Sequence, residues 1–355
     1  MLLAANDHDV EAILLNVTHE MNATVGGSIN QQISNFPEIF TKNPTMVVGV
    51  KVEYGCIFIT ASMDESYFCY QERHVSNKPP EVVQEQEKNL KKFQSKKIKN
   101  SAGLRDCLGQ LVSSFVKTNN GTPPRFVVVY RDCAPSAKNE FLRELNEMEE
   151  IIKDTVHGVD SDWREKVEET IEMSIENYKP GMIGIATNGN QARKFTDRNG
   201  EDNLSVKPGT VIQNGYMDER YKAFDLISHK PMRGIPDSTS YAVVRDDVTA
   251  EFGNLIPFQH FQTMTYYLSY LYAKCPRAVS GVIPLHYCTQ VANRTACAHF
   301  KEPMSGLVLG YEMIERPPPS FRGPPPPRDP NAPKLRSYGL KELSNPLMKG
   351  SMYWL

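Results

Sequence analysis

Residues 125–132 read RFVVVYRD, a continuous run of β-branched and aromatic residues bounded by polar ones. Such a run is typical of a strand buried on both faces of a sheet. The apolar runs in PTMVVGVKVEYG (44–55) and CIFITASM (56–63) predict two paired strands over residues 46–62 with a tight Tyr54-Gly55 connection. Residues 66–71 predict a third strand. This part of the chain therefore predicts the core of a sheet.

Helical patterns lie between and after these strands. Residues 11–27 (EAILLNVTHEMNATVGG) predict an amphipathic helix that stops at Gly26-Gly27, and residues 104–117 (LRDCLGQLVSSFVK) predict another. A charged helical stretch runs from Asp132 to about Tyr178, before strand-like GMIGIAT (181–187) and SYAVVRDD (240–247). FQTMTYYLSYLYAK (261–274) predicts an aromatic-rich helix, and a further helix follows Pro284. Alternating strands and helices indicate a layered α/β domain.

Composition excludes few classes of function. The 355 residues carry a formal net charge of −2, which argues against a uniformly basic nucleic-acid binder but leaves room for a local basic groove. No leader precedes Asn6, and no apolar run approaches the roughly 18 residues of a membrane helix, so we expect an intracellular protein without membrane contact, in cytoplasm or nucleus. Seven scattered cysteines indicate reduced thiols rather than a disulfide framework.

Common catalytic motifs are missing from the sequence. It contains no P-loop, dinucleotide fingerprint, serine elbow or CxxC pair, and the spacing of Cys288, Cys297 and His299 matches no zinc pattern. The informative feature is a series of segments in a fixed order: GVKVEYG, VVVYRDCAPSAKNEF, NYKPGMIGIAT, VKPGTVI, FDLISHKPMRG, YAVVRDD, TMTYYLSYLYAKCPRAVSGVIPLHYCTQVANR and the terminal MYWL.

This co-linear series resembles the Piwi domain of Argonaute proteins, over residues 10 to 310 and the last sixteen. The resemblance implies a ribonuclease H-like fold, with a mixed central sheet and helices on both faces. It also implies domain boundaries: residues 1–44 a remnant of the junction between the Mid and Piwi domains, and residues 45–311 the Piwi domain. Residues 312–335, which hold nine prolines, predict an extended or disordered insertion, and residues 336–355 the closing helix and tail.

The resemblance implies a degenerate nuclease centre. Active members of the family cut a guide-paired RNA with two magnesium ions, about 4 Å apart, held by acidic residues. At the matching positions this chain carries Lys51 first, Asp132 next and Thr289 last, and the glutamate's position falls on Lys99 or, with an insertion, on Glu81. We therefore expect no slicing and no magnesium binding.

Two other roles stay open for these residues. Asp132 could cap a helix or pair with Lys51, which the family places on a neighbouring strand. Glu53 shares a strand face with Lys51, and with Asp246 or Asp247 it could form a rearranged metal site.

The resemblance also indicates where RNA phosphates would lie. Glu20 and Thr24 stand where the family has two lysines for the guide's 5′ phosphate. Arg294, Lys274, Arg277 and Arg193 match positions of phosphate contact, and the Leu355 carboxylate closes the domain. Arg and Lys at such sites give sequence-independent, salt-sensitive affinity. A separate lysine run, residues 91–99, is either a solvated face or an RNA contact.

Three hypotheses follow. The first is an Argonaute-like component of small-RNA silencing that binds guide or target RNA, weakly without Mid and PAZ domains, and does not cut it. The second is a protein-interaction scaffold that has lost RNA binding and has a protein partner. The third is an incomplete product of a longer Argonaute gene.

Overall fold

The computed structural model describes residues 7–24, 36–77, 96–159, 161–171, 175–188, 193–196, 206–213, 222–231, 235–252 and 257–300. Eight strands form one sheet: β1 (Thr45–Glu53), β2 (Cys56–Ser62), β3 (Tyr70–Ser76), β4 (Phe126–Asp132), β5 (Gly181–Asn188), β6 (Thr210–Ile212), β7 (Lys222–Ile227) and β8 (Thr239–Asp246). Their order is β3-β2-β1-β4-β5-β8-β7-β6. The predictions of the two paired strands and of β4, β5 and β8 are confirmed.

The sheet is mixed. β1, β4 and β5 run parallel to one another, whereas the other neighbouring pairs are antiparallel. The β1–β2 hairpin turns at Tyr54 (φ 49°) and Gly55 (φ 73°), the two positive φ values that a tight hairpin requires. Since parallel strands share one direction, the carboxyl ends of β1 and β4 lie at the same edge.

Residues 66–71 were predicted to form the third strand, but the third strand of the structure begins later, so the predicted boundary is wrong. Residues 63–69 instead form a turn in which the Asp64 carboxylate accepts a hydrogen bond from the Cys69 N–H (2.9 Å) and Tyr67 has a φ of 58°. The turn lets the chain reverse, so that β3 pairs antiparallel with β2 along its whole length.

Eight helices are described: α1 (Asp7–Thr24), α2 (Glu38–Thr41), α3 (Ser101–Thr118), α4 (Lys138–His157), α5 (Ser161–Ile171), α6 (Asp247–Phe252), α7 (Gln259–Leu268) and α8 (Ile283–Phe300). Apolar residues of α3 and α4 form a buried core with one face of the sheet, and those of α7 and α8 form a second core with the other face. The predicted mixed sheet with helices on both faces is therefore confirmed.

Two helix predictions need correction. The aromatic helix predicted over residues 261–274 ends at Leu268, because the next residues form turns closed by bonds such as Val279 N–H to the Ser269 carbonyl (3.0 Å). The charged stretch after Asp132 is broken at Gly158, whose N–H bonds the Asp154 carbonyl (2.9 Å).

Other predictions concern segments that lie partly or wholly outside the described residues. The proline-rich insertion at 312–335 and the closing segment 336–355 lie outside the described residues. Among the described helices, none is long and apolar enough to cross a membrane.

Candidate nucleic-acid interface

The residues matched to the nuclease centre meet at the carboxyl ends of β1 and β4. Val50 of β1 stands opposite Arg131 of β4, so Lys51 and Asp132 come next in the parallel register. Val50 belongs to the core beside α3 and α4, and Arg131 contacts Glu144 of α4. Because side chains alternate along strands, Lys51 and Asp132 project from the opposite face, the one that carries α8. The expectation that they lie on neighbouring strands is confirmed.

Lys51, at the first position matched to the nuclease centre, contacts Thr289, at the last position. Its ammonium group donates a hydrogen bond to Thr289 Oγ1 (2.9 Å) and forms an ion pair with Glu53 Oε2 (2.8 Å). The Thr289 hydroxyl in turn donates to the Leu285 carbonyl (3.0 Å) one turn earlier in α8. The only side-chain oxygen of Thr289 is therefore already engaged as both donor and acceptor.

Asp132 pairs with a lysine other than Lys51. Its Oδ1 accepts a hydrogen bond from Lys96 Nζ (2.8 Å), and within the described residues no ion pair joins it to Lys51. The side chain of Lys99 is exposed, and Glu81 lies outside the described residues. Lys96 is absent from the predicted site residues; it belongs to the lysine run at residues 91–99, for which the sequence leaves a solvated face and an RNA contact open. No sequence signal distinguishes Lys96 from its neighbouring lysines, since 36 residues separate it from Asp132 along the chain.

The alternative metal site does not assemble around Lys51. β8 runs antiparallel to β5, with Asp246 opposite Ile183, so Asp246 and Asp247 lie near the start of β5, at the sheet edge opposite Lys51. Asp247 is bonded to Arg245 (2.6 and 3.0 Å), and Asp246 pairs with Lys222 (3.5 Å). The alternative of a rearranged site that joins Glu53 to these aspartates is therefore not supported by their positions.

The donors at the β1–β4 edge also fit a divalent ion poorly. A metal ion needs several free anionic or imidazole ligands, and the described part of the chain holds no cluster of three His, Cys, Asp or Glu residues suited to one. Burial, and to a smaller degree Lys51, lower the pKa of His286 on α8, and its Nε2 contacts the Ser280 carbonyl. Glu53 and Asp132 are each paired with an ammonium group instead.

Cys288 is a structural residue of this interface. Its thiol lies within 3.3 Å of the Gly49 carbonyl and 3.6 Å of the Thr60 hydroxyl, and burial raises its pKa to about 12. A thiol in this state stays protonated at neutral pH and is a poor nucleophile. The side chains of Cys297 and His299 lie outside the described part.

The cations matched to phosphate contacts differ in their surroundings. Lys274 pairs with Glu20 of α1 (2.9 Å), and Arg193 pairs with the fully buried Asp225 (3.3 Å). Arg277 and Arg294 are exposed. The Lys274 segment packs on α8 through a hydrogen bond from Gln290 Nε2 to the Tyr272 hydroxyl (3.0 Å), and Arg294 follows Gln290 by one helical turn. Leu355 lies outside the described residues.

Comparison with known proteins identifies the family of this chain. A model of the Piwi domain family matches residues 2–299. Curated relatives include protein argonaute of Schizosaccharomyces pombe, 26% identical over 54% of this chain and 20% of the relative. Protein argonaute 14 of Oryza sativa is 25% identical over 82% of this chain and 28% of the relative. The chain thus spans less than a third of the length of these relatives.

Solved structures show the same fold. The C-terminal lobe of a budding yeast Argonaute matches with a TM-score of 0.62 at 18% identity, over 79% of this chain and 53% of that one. Kluyveromyces polysporus Argonaute with a guide RNA matches with a TM-score of 0.58 at 18% identity, over 80% of this chain and 32% of that one. The fold is therefore ribonuclease H-like, and the chain belongs to the Piwi domain family.

Proposed function

We propose that this chain is an RNA-binding component of small-RNA silencing that does not cut its target. The observation that carries the proposal is the ammonium group of Lys51 bound to Thr289 Oγ1 at 2.9 Å, at the first and last positions of the matched nuclease set. An in-line phosphodiester cleavage assisted by two metal ions needs anionic ligands at those positions. RNA binding through the exposed Arg277 and Arg294 does not depend on them.

A cleavage assay tests the first half of the proposal. Purified protein is incubated with end-labelled target RNA paired to a guide, in magnesium and in manganese, and we expect no specific product. A product at a fixed position that disappears with Asp132→Asn would show an active centre and contradict the proposal.

Filter binding against salt tests the second half. Arg294→Ala and Arg277→Ala should each weaken single-stranded RNA binding and reduce the salt slope by about 0.7, the contribution of one phosphate contact, without changing sequence preference. Arg164→Ala on α5 is the matched control, because this exposed arginine was not among the matched positions. Equal effects from all three variants would mean that RNA binding depends only on the overall charge of the protein, and not on contacts at these two arginines.

The ion pairs of Lys274 and Arg193 favour a second function, a protein-interaction scaffold without RNA binding. Each of these cations already has a carboxylate partner, Glu20 and Asp225 respectively. The two functions separate in one comparison. If the domain binds RNA, Glu20→Gln should release Lys274 and strengthen binding, whereas Glu38→Gln, at the exposed pair with Lys42, should not. Absence of salt-dependent affinity in wild type and Glu20→Gln alike would favour the scaffold.

A further inference from the structure

Two ion pairs, Lys51 with Glu53 and Lys96 with Asp132, lie at the β1–β4 edge. Lys51 Nζ lies 2.8 Å from Glu53 Oε2, and their side chains are 18% and 29% exposed. Lys96 Nζ lies 2.8 Å from Asp132 Oδ1, with side chains 40% and 17% exposed. Each carboxylate thus has one cation at hydrogen-bonding distance, and the four formal charges cancel.

The backbone that carries Lys96 is fixed from below by Arg131. This side chain is 1% exposed, and its guanidinium donates to Glu144 Oε2 (2.9 Å), to the Asp132 carbonyl (3.1 Å) and to the Lys96 carbonyl. A guanidinium with this set of acceptors holds β4, α4 and the Lys96 segment in one arrangement.

Asn77 fastens the same segment from the other side. Its amide donates to the Lys97 carbonyl (2.8 Å) and its Oδ1 accepts from the Lys99 N–H (2.7 Å). The lysine that reaches Asp132 therefore extends from a backbone that hydrogen bonds hold at Lys96, Lys97 and Lys99, which lowers the entropy cost of placing its ammonium group.

We infer that Lys51 and Lys96 are resident counterions of this centre, and that Arg131 is the positioning residue for Lys96. A divalent cation entering here would have to displace both ammonium groups from their carboxylates, or else bind beside them against charge repulsion. The ammonium groups thus neutralise Glu53 and Asp132 without any metal ion. The inference does not rest on the proposed RNA binding, because it concerns the charge balance of the protein alone.

Manganese binding, measured by water-proton relaxation of the purified chain, tests the inference. The test variant is Lys51→Gln with Lys96→Gln, which removes both ammonium groups and keeps a donor for Thr289 and Asp132. The control is Lys42→Gln with Lys97→Gln, an equal change of charge at lysines that pair with Glu38 and Glu140. We expect the test variant to bind manganese about tenfold more tightly than wild type or control, and Asp132→Asn to remove the gain.

Two results would overturn the inference. One is wild-type protein that already binds manganese at a site lost with Asp132→Asn, since the lysines would then exclude nothing. The other is a test variant that melts like wild type yet binds no more manganese than the control. If the double substitution prevents folding, the single variant Lys96→Gln replaces it, because this partly exposed side chain can be replaced at little cost. The inference then requires Lys96→Gln to bind manganese more tightly than Lys97→Gln does. RNA binding, measured separately, reports on the proposed function.

Discussion

Arg131 and Glu144 form an ion pair inside the protein, with side chains 1% and 9% exposed. Two charges are stable there only because each satisfies the other and the guanidinium also reaches two carbonyl groups. Removing one partner leaves the other charge buried without compensation. The pair therefore matters more through the cost of breaking it than through its own net stabilisation.

We expect Arg131→Met to lower the free energy of unfolding by about 3–5 kcal/mol, measured by urea denaturation. Glu144→Gln should act in the same direction. Arg164→Met removes an arginine from an exposed pair with Glu168, and it should cost no more than about 1 kcal/mol. Similar losses for Arg131→Met and Arg164→Met would mean that burial of the first pair has no energetic consequence.

Few of the side-chain contacts in the candidate site could be predicted from the sequence. The meeting of Lys51 with Thr289 was implied by the family resemblance, which placed both in one centre. Lys96 could not be chosen from a run of similar lysines, because its contact depends on the backbone bond from a buried arginine. The pairing of Glu20 with Lys274 likewise depends on how α1 lies against a distant loop, which no local pattern encodes.

Among the secondary-structure elements, the contact of β1 with α8 determines the centre's geometry. A Cβ built on Gly49 would lie 2.6 Å from both the carbonyl carbon and oxygen of Pro284. Backbone atoms cannot turn aside as a side-chain end can, so the first turn of α8 would have to move away from β1. Thr289 lies on the same helix and would move with it.

Gly49→Ala should therefore destabilise the protein by about 1–3 kcal/mol, the usual cost of overpacking, measured by thermal or urea unfolding. Gly109→Ala is the matched control. It lies inside α3, where the nearest atom to a new Cβ is Thr155 Oγ1 at 3.2 Å, and alanine favours a helix by about 1 kcal/mol. We expect this control to be neutral or stabilising. Equal losses at both glycines would contradict the close approach of α8.

Strong apolar runs made most strands predictable, and weak ones did not. β1, β2, β4, β5 and β8 each contain such a run. The third strand was predicted too early because the sequence of β3, YQERHVS, has four consecutive polar residues and little apolar signal. α7 was made too long because Tyr270, Leu271 and Tyr272 continue its aromatic pattern, although they pack as turns held by the bond from Ala273 N–H to the Tyr287 hydroxyl (3.1 Å).

For the whole molecule, buried thiols and phenols set the response to alkali. Burial raises the pKa of Cys133 and of Cys288 to about 12, and it also raises the pKa of several buried tyrosines: Tyr70, Tyr130, Tyr178, Tyr241 and Tyr287. These groups keep their protons in the folded state and lose them at ordinary values when unfolded. From about pH 8.5, where unfolded cysteines ionise, the unfolded chain therefore binds fewer protons, and the free energy of unfolding falls as pH rises.

We expect the urea midpoint to decrease steadily from about pH 8.5 to pH 11. The decrease begins near pH 8.5 because cysteines of the unfolded chain ionise there. The double variant Cys133→Ala and Cys288→Ala, compared with itself across the same range, should show a shallower decrease. A flat profile for wild type, or identical slopes for both proteins, would mean that the thiols ionise as readily in the folded state.

The general architecture was predictable because alternation of strands and helices, together with the ordered segments, constrained it strongly. Strand order and direction were not, since they depend on long-range pairing rather than on local pattern. The alternative metal site shows this limit: the sequence placed Asp246 and Asp247 at the end of a strand-like run, but only the antiparallel pairing of β8 with β5 shows which edge of the sheet they occupy.

The two edges of β1 are also paired at different times during synthesis. One edge pairs with β2, for example Val48 with Ala61, whereas the other pairs Val48 with Val129 after α3 has intervened. A hairpin forms within about 1–10 μs, but the second edge waits until the ribosome has produced β4, at about 5–20 residues per second. For several seconds the nascent chain therefore presents an unpaired apolar strand, the kind of surface that chaperones protect from intermolecular pairing.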